Sequence, residues 1–146
     1  LIMIIRKILY SDTRSVAKLL LRELSKPPYN ENVSLSAVIK SLRFFLKIGM
    51  GFVAIEKNEL AGVIYFKVEQ FWTGPTMEIE DLVVDETFQG KGVGKKLLQK
   101  IEEFAKNKKV VHIILSTSRK AKATGFYKKL GYQQMTNTIV FRKQLK

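Results

Sequence analysis

The run Val83-Val84-Asp85-Glu86-Thr87-Phe88-Gln89-Gly90-Lys91-Gly92-Val93-Gly94-Lys95-Lys96-Leu97-Leu98 constrains this chain more than any other. A β-branched apolar pair enters a polar turn, three glycines alternate with other residues, and an amphipathic stretch follows. That pattern predicts a strand, a glycine-rich turn and a helix. The first turn of a helix carries N–H groups without intrahelical acceptors, and the helix dipole favours negative charge there. Glycine lets such a backbone approach an anion with no Cβ in the way. Lys91, Lys95 and Lys96 add positive charge. The segment therefore predicts a site for a phosphate-bearing ligand. Its spacing is neither the G-x-x-x-x-G-K-[ST] of a Walker A loop nor the G-x-G-x-x-G of a dinucleotide fold. A tight turn with no ligand would not need three alternating glycines, each of which raises the entropy lost on folding.

The remaining periodicities supply a scaffold. Residues 2–9 read as a strand. Asp12 is placed to cap a helix over residues 13–24, where Val16, Leu19, Leu20 and Leu24 recur at helical spacing, and Pro27-Pro28 ends it. Ser34 is placed to cap a second helix bearing Val38, Ile39, Leu42 and Phe45, with Gly49 at its end. Residues 51–56 and 60–71 read as strands joined at residues 57–59, Gly74-Pro75 reads as a break, and residues 78–84 read as a further strand. A helix over 90–106, a strand over 110–117, a short helix over 121–130 and two strands within 132–145 complete the order β-α-α-β-β-β-α-β-α-β-β. That order predicts an α/β fold: a mixed sheet of about seven strands flanked by about four helices, in one domain spanning residues 1–146.

Charge sorts the classes of partner. Residues before Gln89 carry 11 Lys/Arg and 11 Asp/Glu; from Gln89 onward there are 15 Lys/Arg against Glu102 and Glu103. The whole net charge of +13 lies in the last stretch, which points to a polyanionic partner such as a phosphate-rich cosubstrate or nucleic acid. No cysteine is present, so disulfides, thiolate metal sites and cysteine nucleophiles are excluded, and a reducing cytoplasm is the expected setting. The apolar start is interrupted by Arg6 and Lys7 and has no signal-peptide layout, so no membrane association is expected. His112, the lone histidine, has no companion ligands, and no metal is expected.

Gln89-Gly90-Lys91-Gly92-Val93-Gly94 resembles the Q/R-x-x-G-x-G/A motif of the GNAT acetyltransferases, and Gly125-Phe126-Tyr127-Lys128-Lys129-Leu130-Gly131-Tyr132 is similar to that family's F-Y-x-x-x-G-F/Y segment. The resemblance implies acetyl-CoA as cosubstrate. It assigns contacts with acetyl-CoA to Leu82, Val83 and Val84 on the strand, Gln89 to Lys95 in the turn, and Phe126 and Tyr127 downstream. Lys120 stands where many members have an asparagine that touches the cosubstrate, a departure that leaves its role open. Trp72-Thr73-Gly74 with Ile79-Glu80-Asp81-Leu82 is similar, over about a dozen residues, to spermidine/spermine acetyltransferases.

Transfer of an acetyl group to an amine requires a base, because a primary amine titrates near ~10.4. Glu78, Glu80 and Asp81 form the one dense acidic cluster, on the strand entering the turn. Unbroken strand alternation places Glu78 and Glu80 on one face and Asp81 on the other. Glu80 is the expected base, acting through a water, with Glu78 second. The resemblance further implies a bulge near residues 82–84 that frees an oxyanion-binding N–H, and Tyr127 as the acid that protonates the departing thiolate. The expected acceptor is a polyamine-like or other small amine, or a protein amine, and homodimers are common in the family. Alternatives are a member directed to aminoacyl-tRNA or the ribosome through the basic C-terminal half, and a non-catalytic acetyl-CoA-binding module.

Overall fold

A computed structural model describes residues 2–146. The chain forms two compact units, residues up to 116 and residues 117–146. In the first, a five-stranded sheet has the order β1-β2-β3-β4-β5. Its strands are β1 (Met3–Lys7), β2 (Met50–Glu56), β3 (Glu59–Phe71), β4 (Gly74–Val84) and β5 (His112–Leu115). The first four pair antiparallel and β5 joins β4 in parallel, so the sheet is mixed as expected.

Helices cover both faces. α1 (Thr13–Leu24) and α2 (Leu35–Ile48) bury Val16, Leu19, Leu20, Leu42 and Phe45 in one cluster with Val53, Val63, Tyr65 and Val83 of the sheet. α3 (Val93–Asn107) covers the opposite face: a Cβ added to Gly62 would meet Leu97 and Val93 at 3.1 Å, and Phe104 packs on Phe66 with ring centroids 5.4 Å apart. Leu97, Leu98 and Ile101 of α3 are buried, each contributing roughly 1.5–3 kcal/mol.

Local chemistry sets the boundaries. Ser34 Oγ accepts the Ala37 N–H at 3.1 Å and caps α2. Asp12 does not cap α1. Its carboxylate instead takes both arms of the Arg6 guanidinium, at 2.7 and 2.9 Å, together with the Leu9 N–H at 2.7 Å. A two-pronged charged partner outcompetes the helix amides. Lys57 and Asn58 close the β2–β3 hairpin with φ of 50° and 61°, the left-handed pair that suits a two-residue turn. Gly74-Pro75 is not a break: it opens β4, pairing with Phe71 and Gln70 around a turn at Trp72-Thr73.

The second unit contains α4 (Ala123–Lys129). The two strands expected within residues 132–145 do not form, leaving five strands among the described residues rather than about seven. That stretch lacks an Asn-Gly-type turn dipeptide, Ile139, Val140 and Phe141 are exposed, and an isolated two-stranded hairpin is marginal in water.

Candidate active site

β4 carries the acidic cluster, and its ladder is irregular at one place. Tyr65 pairs with Asp81 and Phe66 with Ile79, so Glu80 is an inserted residue without a partner on β3. A bulge of this kind reverses the alternation beyond it. Glu78, opposite Lys67, and Asp81, opposite Tyr65, therefore share the face covered by α1 and α2. This corrects the split drawn from unbroken alternation, and it moves the bulge from residues 82–84 to Glu80. From Asp81 to Val84 the β3–β4 register is regular.

The carboxylates differ in surroundings. Glu78 lies 3.7 Å from the Lys67 ammonium, which also pairs with Glu69. Glu80 is exposed. Asp81 is half-buried and accepts the Tyr65 hydroxyl. Burial pushes the Asp81 carboxyl up to about 6, the Tyr65 hydroxyl draws it down, and the negative charges of Glu80 and Glu31 raise it further. Tyr65 is itself held well above the usual phenol range by burial and by Asp81. Sequence reasoning set Asp81 aside as facing away and did not single out Tyr65 or Glu31. A signal was available for Tyr65, whose polar tip in the apolar run Ala61-Gly62-Val63-Ile64-Tyr65-Phe66 needs a buried acceptor.

β5 pairs with β4 only over Thr76–Ile79, so no strand among the described residues pairs with residues 80–84 on that side. The Asp85 N–H donates to Ala61 O at 2.8 Å, which fixes the phase of the antiparallel ladder. Alternation then turns the N–H and C=O groups of Leu82 and Val84 away from β3, and those of Val83 toward it. Gln89 uses this edge: its Nε2 donates to Val84 O at 2.9 Å.

The glycine-rich turn continues from that edge. Asp85 accepts the Thr87 N–H at 2.9 Å and the Thr87 hydroxyl at 2.7 Å, bonds that with Arg22 hold its carboxyl below the ordinary range. Gly90 and Gly92 have φ of 74° and 83°, and a Cβ at either would meet nothing within 4 Å. Gly92 occupies the N-cap of α3, so no side chain satisfies the helix's first N–H groups. Val93 is buried beneath them. Lys91, Lys95 and Lys96 are exposed and make no ion pair among the described residues. The end of α1 and the residues just after it are tied to this turn by Arg22 on Asp85 (2.5 Å), by Lys26 on Glu86 (3.0 Å) and by Glu23 Oε1, which accepts the Glu86 N–H (2.9 Å). An open glycine cradle, free helix amides and unopposed lysines fit a pyrophosphate.

In the second unit Tyr127 is buried on α4, with ring centroids 5.1 Å from Phe126 and 5.5 Å from Tyr132, both edge-on. The Tyr132 N–H donates to Tyr127 O at 3.1 Å, closing the helix end. Lys120 is exposed, and its N–H donates to Ser118 Oγ at 3.3 Å.

Residues 17–132 match the Acetyltransferase (GNAT) family. The chain belongs to that family. Among relatives, it is 33% identical over 76 residues to the thialysine N-epsilon-acetyltransferase of Mus musculus, a match covering 51% of this chain and 45% of that protein. The chain thus spans about half the length of the curated relatives it matches. Among solved GNAT-like folds, a possible acetyltransferase from Clostridium difficile 630 superposes with a TM-score of 0.86 at 17% identity, over 100% of both chains. A predicted acetyltransferase from Clostridium acetobutylicum, solved with acetyl-CoA, gives a TM-score of 0.75 at 20% identity over 97% of this chain and 96% of its own.

Proposed function

We propose that this GNAT protein is an acetyl-CoA-dependent N-acetyltransferase acting on a primary amine. The observation that carries the reading is the continuous backbone surface formed by the unpaired edge of β4 and the uncapped start of α3. Residues 89–95 would hold the pyrophosphate through backbone amides, with Lys91 and Lys95 adding charge. Leu82 and Val84 offer N–H groups along the edge, and either suits the developing oxyanion; these donors come from the missing strand neighbour and need no bulge at residues 82–84.

Glu80 is the proposed base. It stands at the bulge, is exposed, and has no cation beside it, whereas Glu78 is engaged by Lys67. The amine nitrogen attacks the thioester carbonyl, Glu80 takes the amine proton through a water, and the carbon–sulfur bond breaks. For protonation of the departing sulfur the family resemblance nominates Tyr127. Glu80, Asp81 and Glu31 create a negative field on the β4 side, which favours a small cationic acceptor of the polyamine type.

The test is release of CoA thiol, read with a thiol reagent against polyamines, amino sugars, amino acids and lysine peptides. The protein has no cysteine to contribute background. Acceptor-dependent release is expected, falling about 10²–10⁴-fold in Glu80→Gln and in Tyr127→Phe. Binding of acetyl-CoA without release to any amine would remove the reading.

A further inference from the structure

The balanced charge of the first 88 residues conceals a second cationic surface. Residues 1–48 hold nine Lys/Arg against Asp12, Glu23 and Glu31, while residues 49–88 hold two against eight Asp/Glu. The three early carboxylates are engaged elsewhere: Asp12 with Arg6, Glu23 with Lys26 and the Glu86 N–H, and Glu31 beside Asp81. Arg14 of α1 and Lys40, Arg43 and Lys47 of α2 line a cleft of about 580 Å³ together with Ile39 and Phe44. None of these four cations makes an ion pair among the described residues.

Two aromatic rings stand at this surface. Phe44 is 63% exposed, and the Arg43 guanidinium lies 5.1 Å over the ring of Tyr10, itself 69% exposed. Lys40, Arg43 and Lys47 follow one another at three and four residues, so they share a side of α2. The cleft is separate from the glycine turn. Arg14 lies eight residues from Arg22, the α1 residue at the turn, which is ~12 Å of helix.

We propose that this cleft binds single-stranded nucleic acid, with its cations on the phosphates and Phe44 under a base. A positive track beside an exposed aromatic is the combination that such strands use. An acidic peptide would satisfy the cations but leave the rings without a use. Binding at this face needs no acetyl-CoA and extends the protein beyond acetyl transfer.

The experiment is fluorescence anisotropy of a labelled oligouridine 12-mer titrated with the protein between 50 and 200 mM KCl. Four phosphate contacts give a log–log salt slope of about −2.8, or about 50-fold weaker binding across that range. Lys40→Ala/Lys47→Ala is expected to reduce the slope to about −1.4. Phe44→Ala is expected to weaken binding about tenfold with the slope retained. All three side chains are exposed, so the variants should melt as the unaltered protein does. An unchanged slope in Lys40→Ala/Lys47→Ala, or a larger loss in Lys128→Ala/Lys129→Ala, would overturn the proposal. Two outcomes on the unaltered protein would do the same without any variant. One is displacement of the strand by CoA, which would place it at the glycine turn. The other is equally tight binding of oligoglutamate, which would indicate an acidic protein partner.

Discussion

At Asp81 the sheet places a half-buried carboxyl near Glu80 and Glu31, with the Tyr65 hydroxyl as its donor. Its folded pKa of about 6 lies above the ordinary aspartate value, so between those two pH values the folded protein retains a proton that the unfolded chain has released. The stabilising effect of that proton is complete at low pH and is lost as pH rises through 6. A displacement of this size corresponds to roughly 2–3 kcal/mol. Asp81→Asn keeps an acceptor for Tyr65 and removes the ionisation. The variant is therefore expected to match the unaltered protein near pH 4 and to exceed it by roughly 2 kcal/mol above pH 7. Thermal unfolding of both proteins across that range checks this, because Asp12 and Asp85, whose carboxyls are held below the ordinary range, are common to both. A difference between the two that does not vary with pH would show that burial does not set this titration. The placement of Asp81 was hidden in the sequence for a definite reason: one inserted residue at Glu80 inverts every face assignment beyond it, and nothing in Glu78-Ile79-Glu80-Asp81 marks the insertion.

Among the elements, legibility followed the range of the interaction that decides them. The helices announced themselves through apolar spacing, and the start of α3 through its glycines, because those signals lie within a few residues. Ser34 caps α2 as read, and Ser34→Ala should cost about 1 kcal/mol in urea denaturation. Asp12 was read by the same rule and failed, because Arg6, on a different element, holds its carboxylate. The start of β4 at Gly74 was equally invisible. Pro75 looked like a breaker, yet its carbonyl accepts the Val111 N–H at 2.9 Å and its missing donor falls near the tip of the hairpin. The glycine turn makes the sharpest prediction at this scale. Gly92→Glu imposes a side chain at φ 83° and costs roughly 1–2 kcal/mol of stability. It also sets a carboxylate in the proposed pyrophosphate cradle, so calorimetric affinity for acetyl-CoA should fall by about 100-fold or more. A loss of affinity no larger than the loss of stability would place the cosubstrate elsewhere.

Across the whole molecule, charge is sorted by segment rather than spread evenly. The excess of +13 lies beyond Gln89, where the glycine turn and the start of α3 present Lys91, Lys95 and Lys96, while α1 and α2 present a separate cationic side and the acidic residues gather on β3, β4 and the turn that follows. An anionic cosubstrate approaching such a protein is attracted over long range, and an attraction of that kind acts on association rather than on the bound complex. The Debye length shortens from roughly 14 Å at 50 mM to about 4 Å at 500 mM salt. The association rate of acetyl-CoA is therefore expected to fall about tenfold over that range, with the dissociation rate nearly unchanged. Neutralising Lys91, Lys95 and Lys96 together should abolish much of this salt dependence, because those lysines flank the proposed cosubstrate site. Neutralising Lys40 and Lys47 should leave most of it, since they line the cleft on α1 and α2 rather than the glycine turn. Stopped-flow binding of acetyl-CoA to the two sets of variants separates the cases. Equal effects from both would mean that total charge steers the cosubstrate, and a dominant effect of the turn lysines would mean that its placement does.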